Sequence, residues 1–367
     1  MKKLFEIIVG IPSYNEEDNI SFVTEIVDKG LVKYFPGKKC VIINVDNCSP
    51  DKTRRNFLST STKSEKIYIS TPKNIKGKGN NFYNLFKSAL KFQAEYIMVV
   101  DADLKSIFPE WVPFLINPVE KEGYDFVFPY YRRHYDDATI TNFICYPLVY
   151  GLLGFNIRQP IGGDFAFNQK MIRYWLKRKW DSYIRNYGID IFMSLNAIFG
   201  NFKICQADLG EKIHKPSRPK LNPMLDDVLM TAFTIIWQNE SFWRKKNYKI
   251  KQPTFFTNFT KNKFVGGLEK TLGLPEKENF SKQEKSEVEI KNDFIDAKQW
   301  VEIVYSALKD FRRLKSLGIF FKDLYFKRIN SFLKEIKYLS LEDSESLIQQ
   351  QAEIFFKKRD QFLDNLD

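Results

Sequence analysis

The chain, 367 residues long, is poor in cysteine and poorer still in histidine. Its four Cys (Cys40, Cys48, Cys145 and Cys205) are scattered, and no two form a C-x-x-C pair. That spacing excludes a disulfide framework and a zinc site, and it predicts reduced thiols in a cytoplasmic protein. Histidine occurs only twice, so neither copy can be dismissed as background. No apolar stretch approaches the roughly 20 residues that a membrane-spanning helix needs. The start, MKKLFEIIVGIPSYNEE, is basic and then apolar, but the apolar part runs for only about eight residues, so no cleaved leader is expected. Neither G-x-G-x-x-G nor G-x-x-x-x-G-K-[ST] occurs, which removes the Rossmann and P-loop readings.

What the chain does have is positive charge, with a formal net of +12. Such a surplus concentrates anionic partners: nucleotides, phosphorylated acids, nucleic acid or anionic lipid. A hydrophobic content of 44% supports a large core, and aromatic residues reach 16%, 34 of them Phe.

The most informative stretch is Glu95 to Leu104, EYIMVVDADL. An apolar run, Tyr96 to Val100, reads as a strand buried on both faces. It ends in Asp101 and Asp103, where open α/β sheets bind ligands. Residues i and i+2 of an extended chain point the same way, so both acids can face one ligand. Hard oxygen donors of this kind suit Mg²⁺ or Mn²⁺ beside a diphosphate. A solvated Asp turn after a core strand has the same local pattern.

The stretches before it repeat a strand–helix alternation. Phe5 to Ile11 reads as a strand leading into PSYNEE, where Ser13 and Glu16 have capping-box spacing, and helix periodicity follows from Ile20 to Val32. Cys40 to Val45 is a second strand ending at Asp46, and Ser49-Pro50-Asp51 opens a short helix with Ser as its cap. Ile67 to Ile69 is a third strand. Lys76-Gly77-Lys78-Gly79-Asn80 then precedes a helix to about Phe92. The alternation predicts an α/β fold with a doubly wound, mostly parallel sheet and ligands at the strand carboxyl ends. Asp46 by itself reads as a turn former. Lys78 between two glycines either approaches phosphate or belongs to a solvated loop.

Four further segments follow in order: Arg133-x-x-x-Asp137-Ala-Thr-Ile-Thr141, Gln159 to Asp164 (QPIGGD), Tyr187-Gly188-Ile189-Asp190 and Gly210-Glu211-Lys212-Ile213-His214. Together with PSYNEE, the Asp after strand two, the GKG loop and VVDADL, they resemble GT-A glycosyltransferases of the family 2 type. Within these, the pattern is similar to the mannosylglycerate, glucosylglycerate and glucosyl-3-phosphoglycerate synthases. The resemblance spans about residues 5 to 220 and implies a GT-A domain over 1–220. It implies that Pro12, Tyr14 and Glu16 hold base and ribose, that Asp46 reads the base, and that Lys78 approaches the diphosphate. Asp101 would contact ribose or donor sugar, while Asp103 and His214 would ligate the metal. Arg133, Asp137 and Thr141 would bind the acceptor, and Asp190 would lie beside its hydroxyl. Gly162 and Gly163 would let backbone approach the donor sugar. The implied donor is a UDP-, GDP- or ADP-hexose, and the implied acceptor is D-glycerate or 3-phosphoglycerate. The relatives retain anomeric configuration. Asp164 and Asp190 stand where many relatives have Glu.

Some of this has independent physical support. A pair of arginines, Arg132 and Arg133, can grip a carboxylate bidentately, but the sequence does not say which one points inward. His214 follows an apolar strand, Phe202 to Cys205, and so falls at a strand end. From Pro223 the texture changes. Leu225 to Trp237, Trp300 to Phe311, Ile319 to Ile336 and Leu341 to Phe362 have helical spacing, predicting a mainly helical appendage over 221–367 that packs on the domain or on a second subunit as a homodimer. Trp243 to Phe264 is basic and aromatic, read here as a lid or linker over an anionic donor site rather than a face for single-stranded nucleic acid or a membrane surface. His134 reads as exposed or acceptor-side, and Glu276 to Asp293 as a polar loop. Two other functions fit part of the pattern. One is a family 2 enzyme acting on a polyprenyl-phosphate or glycan acceptor; the other is a non-catalytic nucleotide-sugar or nucleic-acid binder.

Overall fold

The computed structural model describes residues 4–133, 137–215, 220–246, 248–257, 294–318 and 320–366. His134, the segment Glu276 to Asp293 and the end of the basic aromatic stretch lie outside the described residues. In chain order the first elements are β1 (Ile7–Ser13), α1 (Ile20–Tyr34), β2 (Cys40–Asp46), α2 (Thr53–Ser59), β3 (Glu65–Ser70), α3 (Lys78–Phe92), β4 (Tyr96–Val99), α4 (Trp111–Glu120) and β5 (Phe126–Arg132). Two π-helical turns, Thr141–Cys145 and Leu148–Leu152, precede β6 (Phe165–Asn168), α5 (Gln169–Leu176), α6 (Ser182–Arg185), α7 (Ile189–Phe199) and β7 (Ile204–Glu211). The remainder comprises α8 (Leu221–Gln238), α9 (Glu240–Trp243), β8 (Thr254–Phe256), α10 (Ala297–Leu314), α11 (Phe321–Glu335) and α12 (Leu341–Asp364).

Among the described residues the strands form one sheet of eight in the order β3-β2-β1-β4-β6-β5-β7-β8. Only β6 runs against its neighbours, β4 and β5; the other pairings are parallel. β1 is buried along its whole length because helices cover both faces. Its alternate residues serve two cores: Ile8 joins one, and Ile7, Val9 and Ile11 join the other, with α1 and α4. β1 has β2 on one side and β4 on the other, so the loops after β1 and β4 open into one crevice at a switch of winding direction.

The serines expected to cap helices have other work. Ser13 donates its hydroxyl to Asp46 Oδ1 (2.8 Å). Ser49 donates to the same oxygen (2.6 Å) and accepts the Asn15 N–H (2.8 Å). The flanking residues are Asn19 before α1 and Lys52 before α2, and neither makes a side-chain cap. Asn19 instead donates to the carbonyls of Ala102 and Leu104, both at 2.8 Å, tying α1 to the loop that carries both acids.

The helices expected after residue 221 are present. They bury their apolar stripes in the same core as the sheet face carrying Ile8: Trp300 donates its indole N–H to the Phe143 carbonyl at 2.8 Å. β8 also comes from this part of the chain, pairing in parallel with β7. No helix among the described residues is long and apolar enough to cross a membrane.

Candidate active site

At the strand carboxyl ends a line of alternating charges crosses the crevice. Asp101, just past β4, binds Lys78 Nζ through Oδ1 and Lys212 Nζ through Oδ2, both at 3.0 Å. Lys78 opens α3 and reaches Asp190 Oδ2 at 3.1 Å. Lys212, just past β7, reaches Asp164 Oδ2 at 2.7 Å and the Gly162 carbonyl at 2.8 Å. Asp164 Oδ1 also accepts the Asp101 backbone N–H at 2.8 Å, and Tyr131 donates its hydroxyl to Oδ2. The order is Asp190, Lys78, Asp101, Lys212, Asp164: three acids and two bases, largely out of water.

Position in that line sets each group's ionisation. Burial alone would raise Asp101, but Lys212 and Lys78 outweigh it and hold the carboxyl well below the usual range. Burial lifts Asp190 and Asp164, each at an end of the line with one lysine and a nearby Asp101 charge. For Lys78 and Lys212 burial works against the charge, but the flanking carboxylates win and raise both. Asp190 lies in the first turn of α7, and its Oδ1 is buried with no hydrogen-bond partner.

A second group adjoins the first. His214 Nδ1 lies 4.0 Å from Asp103 Oδ2, across 111 positions of sequence. The same nitrogen is 2.7 Å from the Lys215 carbonyl. Nε2 faces Asp137 Oδ2 at 3.2 Å and Arg133 Nη2 at 2.7 Å. Arg133 grips Asp137 Oδ2 through Nε (2.9 Å) and Nη2 (2.6 Å). Burial would raise Asp137, but the His214 hydrogen bond and the Arg133 charge keep it well below the ordinary range. Of the two arginines, Arg133 points inward, with 11% of its side chain exposed, and Arg132 points out, with 60%.

The expected metal ligands, Asp103 and His214, are brought together by the fold, with Nδ1 turned to the Lys215 carbonyl. Ligand bonds of about 2.0–2.2 Å on each side match the 4.0 Å between Nδ1 and Asp103 Oδ2. Among the described residues no group of three or more His, Cys, Asp and Glu side chains makes a metal cluster. One carboxylate and one imidazole are donors of the kind that Mg²⁺ or Mn²⁺ accepts when its other ligands come from phosphates and water.

The residues expected to hold the nucleotide lie in the loops after β1 and β2. Pro12 is buried there. Lys76 Nζ donates to the Tyr14 hydroxyl at 2.6 Å and sits 4.6 Å from its ring centre. Burial raises the Glu16 carboxyl even though Lys215 binds it at 2.8 Å. Asp46 requires a correction. It is fully buried, and both oxygens are taken: Ser13 and Ser49 hydroxyls on one, the Ser49 N–H and Tyr68 hydroxyl on the other. No lone pair faces the crevice to read a base, so Asp46 shapes the turn.

The two glycines need a different reason from the expected one. Gly163 has φ +87°, and a Cβ there would lie 2.1 Å from Asp101 Oδ2; one on Gly162 would lie 2.3 Å from Pro129 Cγ. The space they spare is filled by the protein, letting the loop close on Asp101. Thr141, expected to bind the acceptor, is 2% exposed at the start of the first π-helical turn, so its hydroxyl is out of reach of solvent. Sequence reasoning missed Lys212, Tyr131 and Asn19. Lys212 had a signal: it lies two residues before His214 in an extended segment, so the two side chains share a face.

Away from these residues, a wide groove of about 940 Å³ opens at the amino ends of β1 and β2, lined by Leu4, Leu31, Val32, Phe35 and Lys39 among others.

Residues 8–176 match the family described as glycosyl transferase family 2. The chain is 25% identical over 251 residues to the glucosyl-3-phosphoglycerate synthase of Mycobacterium tuberculosis (strain H37Rv), covering 62% of this chain and 72% of that protein. It is 26% identical over 250 residues to the synthase of the same name from Mycolicibacterium paratuberculosis, covering 62% and 71%. Among solved structures, glucosyl-3-phosphoglycerate synthase from Mycobacterium tuberculosis in complex with Mn²⁺, UDP and glucosyl-3-phosphoglycerate superposes with a TM-score of 0.51 at 23% identity, covering 63% of this chain and 80% of that one. A complex of the same enzyme with Mg²⁺ and UDP gives 0.51 at 23%, with 63% and 79% covered. At this identity the superpositions establish the fold.

Proposed function

Since residues 8–176 of this chain are a glycosyltransferase family 2 domain, we propose that the protein is a metal-dependent, retaining hexosyltransferase acting on D-glycerate or 3-phosphoglycerate. The observation that carries the reading is the 4.0 Å approach of His214 to Asp103. The curated relatives bear the name glucosyl-3-phosphoglycerate synthase, and one is solved with Mn²⁺, UDP-glucose and phosphoglyceric acid. We therefore take UDP-glucose and 3-phosphoglycerate as the first pair to test. A cytoplasmic setting belongs to the same reading, in keeping with four free cysteines.

Asp103 and His214 would hold the Mg²⁺ or Mn²⁺. When bound, the ion supplies a Lewis acid for the charge that develops on the departing diphosphate. In this structure Nδ1 faces the Lys215 carbonyl, which can only accept, and Nε2 faces the Arg133 N–H, so the contacts place the proton on Nδ1. For His214 to ligate through Nδ1 the proton would have to move to Nε2, where Asp137 would accept it as Arg133 turns away. Lys78 exchanges part of its pairing with Asp101 and Asp190 for phosphate oxygens, adding positive charge where the leaving group forms. Lys212 stays with Asp101 and Asp164 and keeps Asp101 ionised and oriented toward ribose or sugar. Arg133, held by Asp137, presents its remaining N–H groups to the acceptor carboxylate. Asp190 has one oxygen on Lys78 and one without a partner, and that free oxygen orients the acceptor hydroxyl. The hydroxyl proton leaves to a phosphate oxygen of the donor, on the face from which the diphosphate departs.

The test is a matrix of UDP-, GDP- and ADP-hexoses against D-glycerate and 3-phosphoglycerate, with Mn²⁺ or Mg²⁺ and with EDTA. The reading expects one strong donor–acceptor pair, retained anomeric configuration by NMR, and loss of transfer in EDTA. Full turnover in EDTA, or no transfer to either acid, refutes it.

A further inference from the structure

Six of the eleven large apolar side chains exposed among the described residues fall between positions 294 and 341. The same part of the chain is basic: residues 312–337 hold eight Lys and Arg against two acids. Arg328 is buried on Glu335, and Arg312 and Lys322 pair with Glu240 and Asp226, so part of this charge is spent internally. What remains outside gathers at the two ends of α11. At the first end, Phe320 is 72% exposed and Leu314 is 53% exposed, beside exposed Arg313 and Lys315. At the other, Tyr338 is 87% exposed and Leu341 is 56% exposed, beside exposed Lys334 and Lys337.

From this arrangement we infer that the outward side of α11 docks on an anionic lipid surface, with Phe320 and Tyr338 entering the headgroup layer and the neighbouring cations meeting lipid phosphates. Each end has the composition of an interfacial anchor: an apolar or aromatic tip with Lys or Arg, whose stems lie along apolar surface while their charges stay in water. The 15 residues of α11 separate the ends by about 22 Å at 1.5 Å per residue. Between them the exposed residues of α11 are Asp323 and Asn330, both polar. A peptide or small ligand would have nothing to follow from one end to the other. A second copy of the chain would need a continuous patch of about 800 Å² per partner, which lysines interrupt here. A flat anionic surface touches both ends at once. The inference stands apart from the acceptor reading, since the residues it uses are none of those placed in the active site.

The experiment is flotation of the full-length protein with vesicles of phosphatidylcholine alone and of phosphatidylcholine with phosphatidylglycerol, at low and high salt. Binding is expected on the anionic vesicles only, weakening as salt rises. Lys334→Glu with Lys337→Glu should lower it by about tenfold or more, given roughly 1 kcal/mol for each basic residue near such a surface. Phe320→Ser with Tyr338→Ser should lower it by about tenfold, and an unchanged melting temperature for both pairs would show that the fold survives. The inference is overturned by absence of binding to anionic vesicles at low salt, by equal binding to neutral ones, or by indifference to both pairs of substitutions. It is also overturned if light scattering shows a dimer that Phe320→Ser and Tyr338→Ser dissociate, which would make the surface an interface between copies. Transfer activity lost together with vesicle binding would bear on the proposed acceptor chemistry; vesicle binding lost alone would not.

Discussion

The two ends of the sheet offer opposite kinds of concavity. At the amino ends of β1 and β2 lies a groove of about 940 Å³ lined by Leu4, Phe5, Leu31, Val32 and Phe35 together with polar residues, among them Lys39 and Glu65. At the carboxyl ends five charged groups are linked in one line and a histidine approaches an acid from 111 positions away. The groove and the line of charges therefore lie at opposite ends of the sheet. The difference follows from parallel winding, which brings every β-to-α loop to one end, whereas the other end collects the returning connections. Buried charges persist only where partners hold them, so such a line is a sharper sign of function than a larger apolar hollow.

Substitutions at both ends test that contrast, and the largest effect belongs to the metal ligand. Asp103→Ala should lower metal-dependent transfer by about 1,000-fold, the upper part of the range for removing a stabiliser of developing charge. Near-normal turnover would break the assignment. Asp190→Asn should lower the rate by about 100-fold while donor affinity by calorimetry stays within about twofold. Loss of donor affinity as well would move Asp190 from the acceptor side to the donor side. Lys212→Met leaves Asp101 and Asp164 without their shared cation, so the melting temperature should fall by roughly 4–6 °C, with weaker donor binding.

A smaller effect is expected at Asp227, which accepts the Tyr187 N–H at 3.2 Å behind the turn that carries Asp190. Burial raises its carboxyl from the ordinary 3.8 to about 6. A raised value in the folded state gives a contribution to stability that is complete below the unfolded value and is lost as pH rises through the folded one. Asp227→Asn should thus be more stable than the parent at pH 7, by about 1–2 °C, with the advantage fading as pH falls toward 4. Scanning calorimetry at several pH values measures it. Smallest of all, Val32→Ser in the amino-end groove should leave kcat/KM within about twofold, because exposed substitutions seldom exceed 0.5 kcal/mol. A tenfold loss there would contradict the placing of the chemistry at the carboxyl ends.

The legible parts of this chain were those written in local pattern. β1, β2 and β4 announce themselves as apolar runs that end in polar clusters, and the helices of the carboxyl-terminal third announce themselves by periodicity. The family resemblance carried by the segments also implied that Asp103 and His214 meet, and they lie 4.0 Å apart. What stayed hidden depends on partners far away in sequence. Lys212 is a buried cation only because Asp164 and Asp101 lie 48 and 111 positions off. Asp46 loses its expected role because Ser13 and Tyr68 occupy its oxygens from neighbouring strands. β6 spans four residues, and β8 three, too short for alternation to register. Which arginine faces inward depends on Asp137 and His214, and no local rule decides it.

The most direct measurement is calorimetry of UDP binding in the presence and absence of Mn²⁺, on the parent protein and on Asp103→Ala and His214→Ala separately. If one cation is shared by both side chains, each substitution alone should abolish the Mn²⁺-dependent part of UDP affinity while leaving the metal-independent part in place. Retention of the full Mn²⁺ effect in His214→Ala would mean that the ion is held by Asp103 without the imidazole, and the site described here would be wrong.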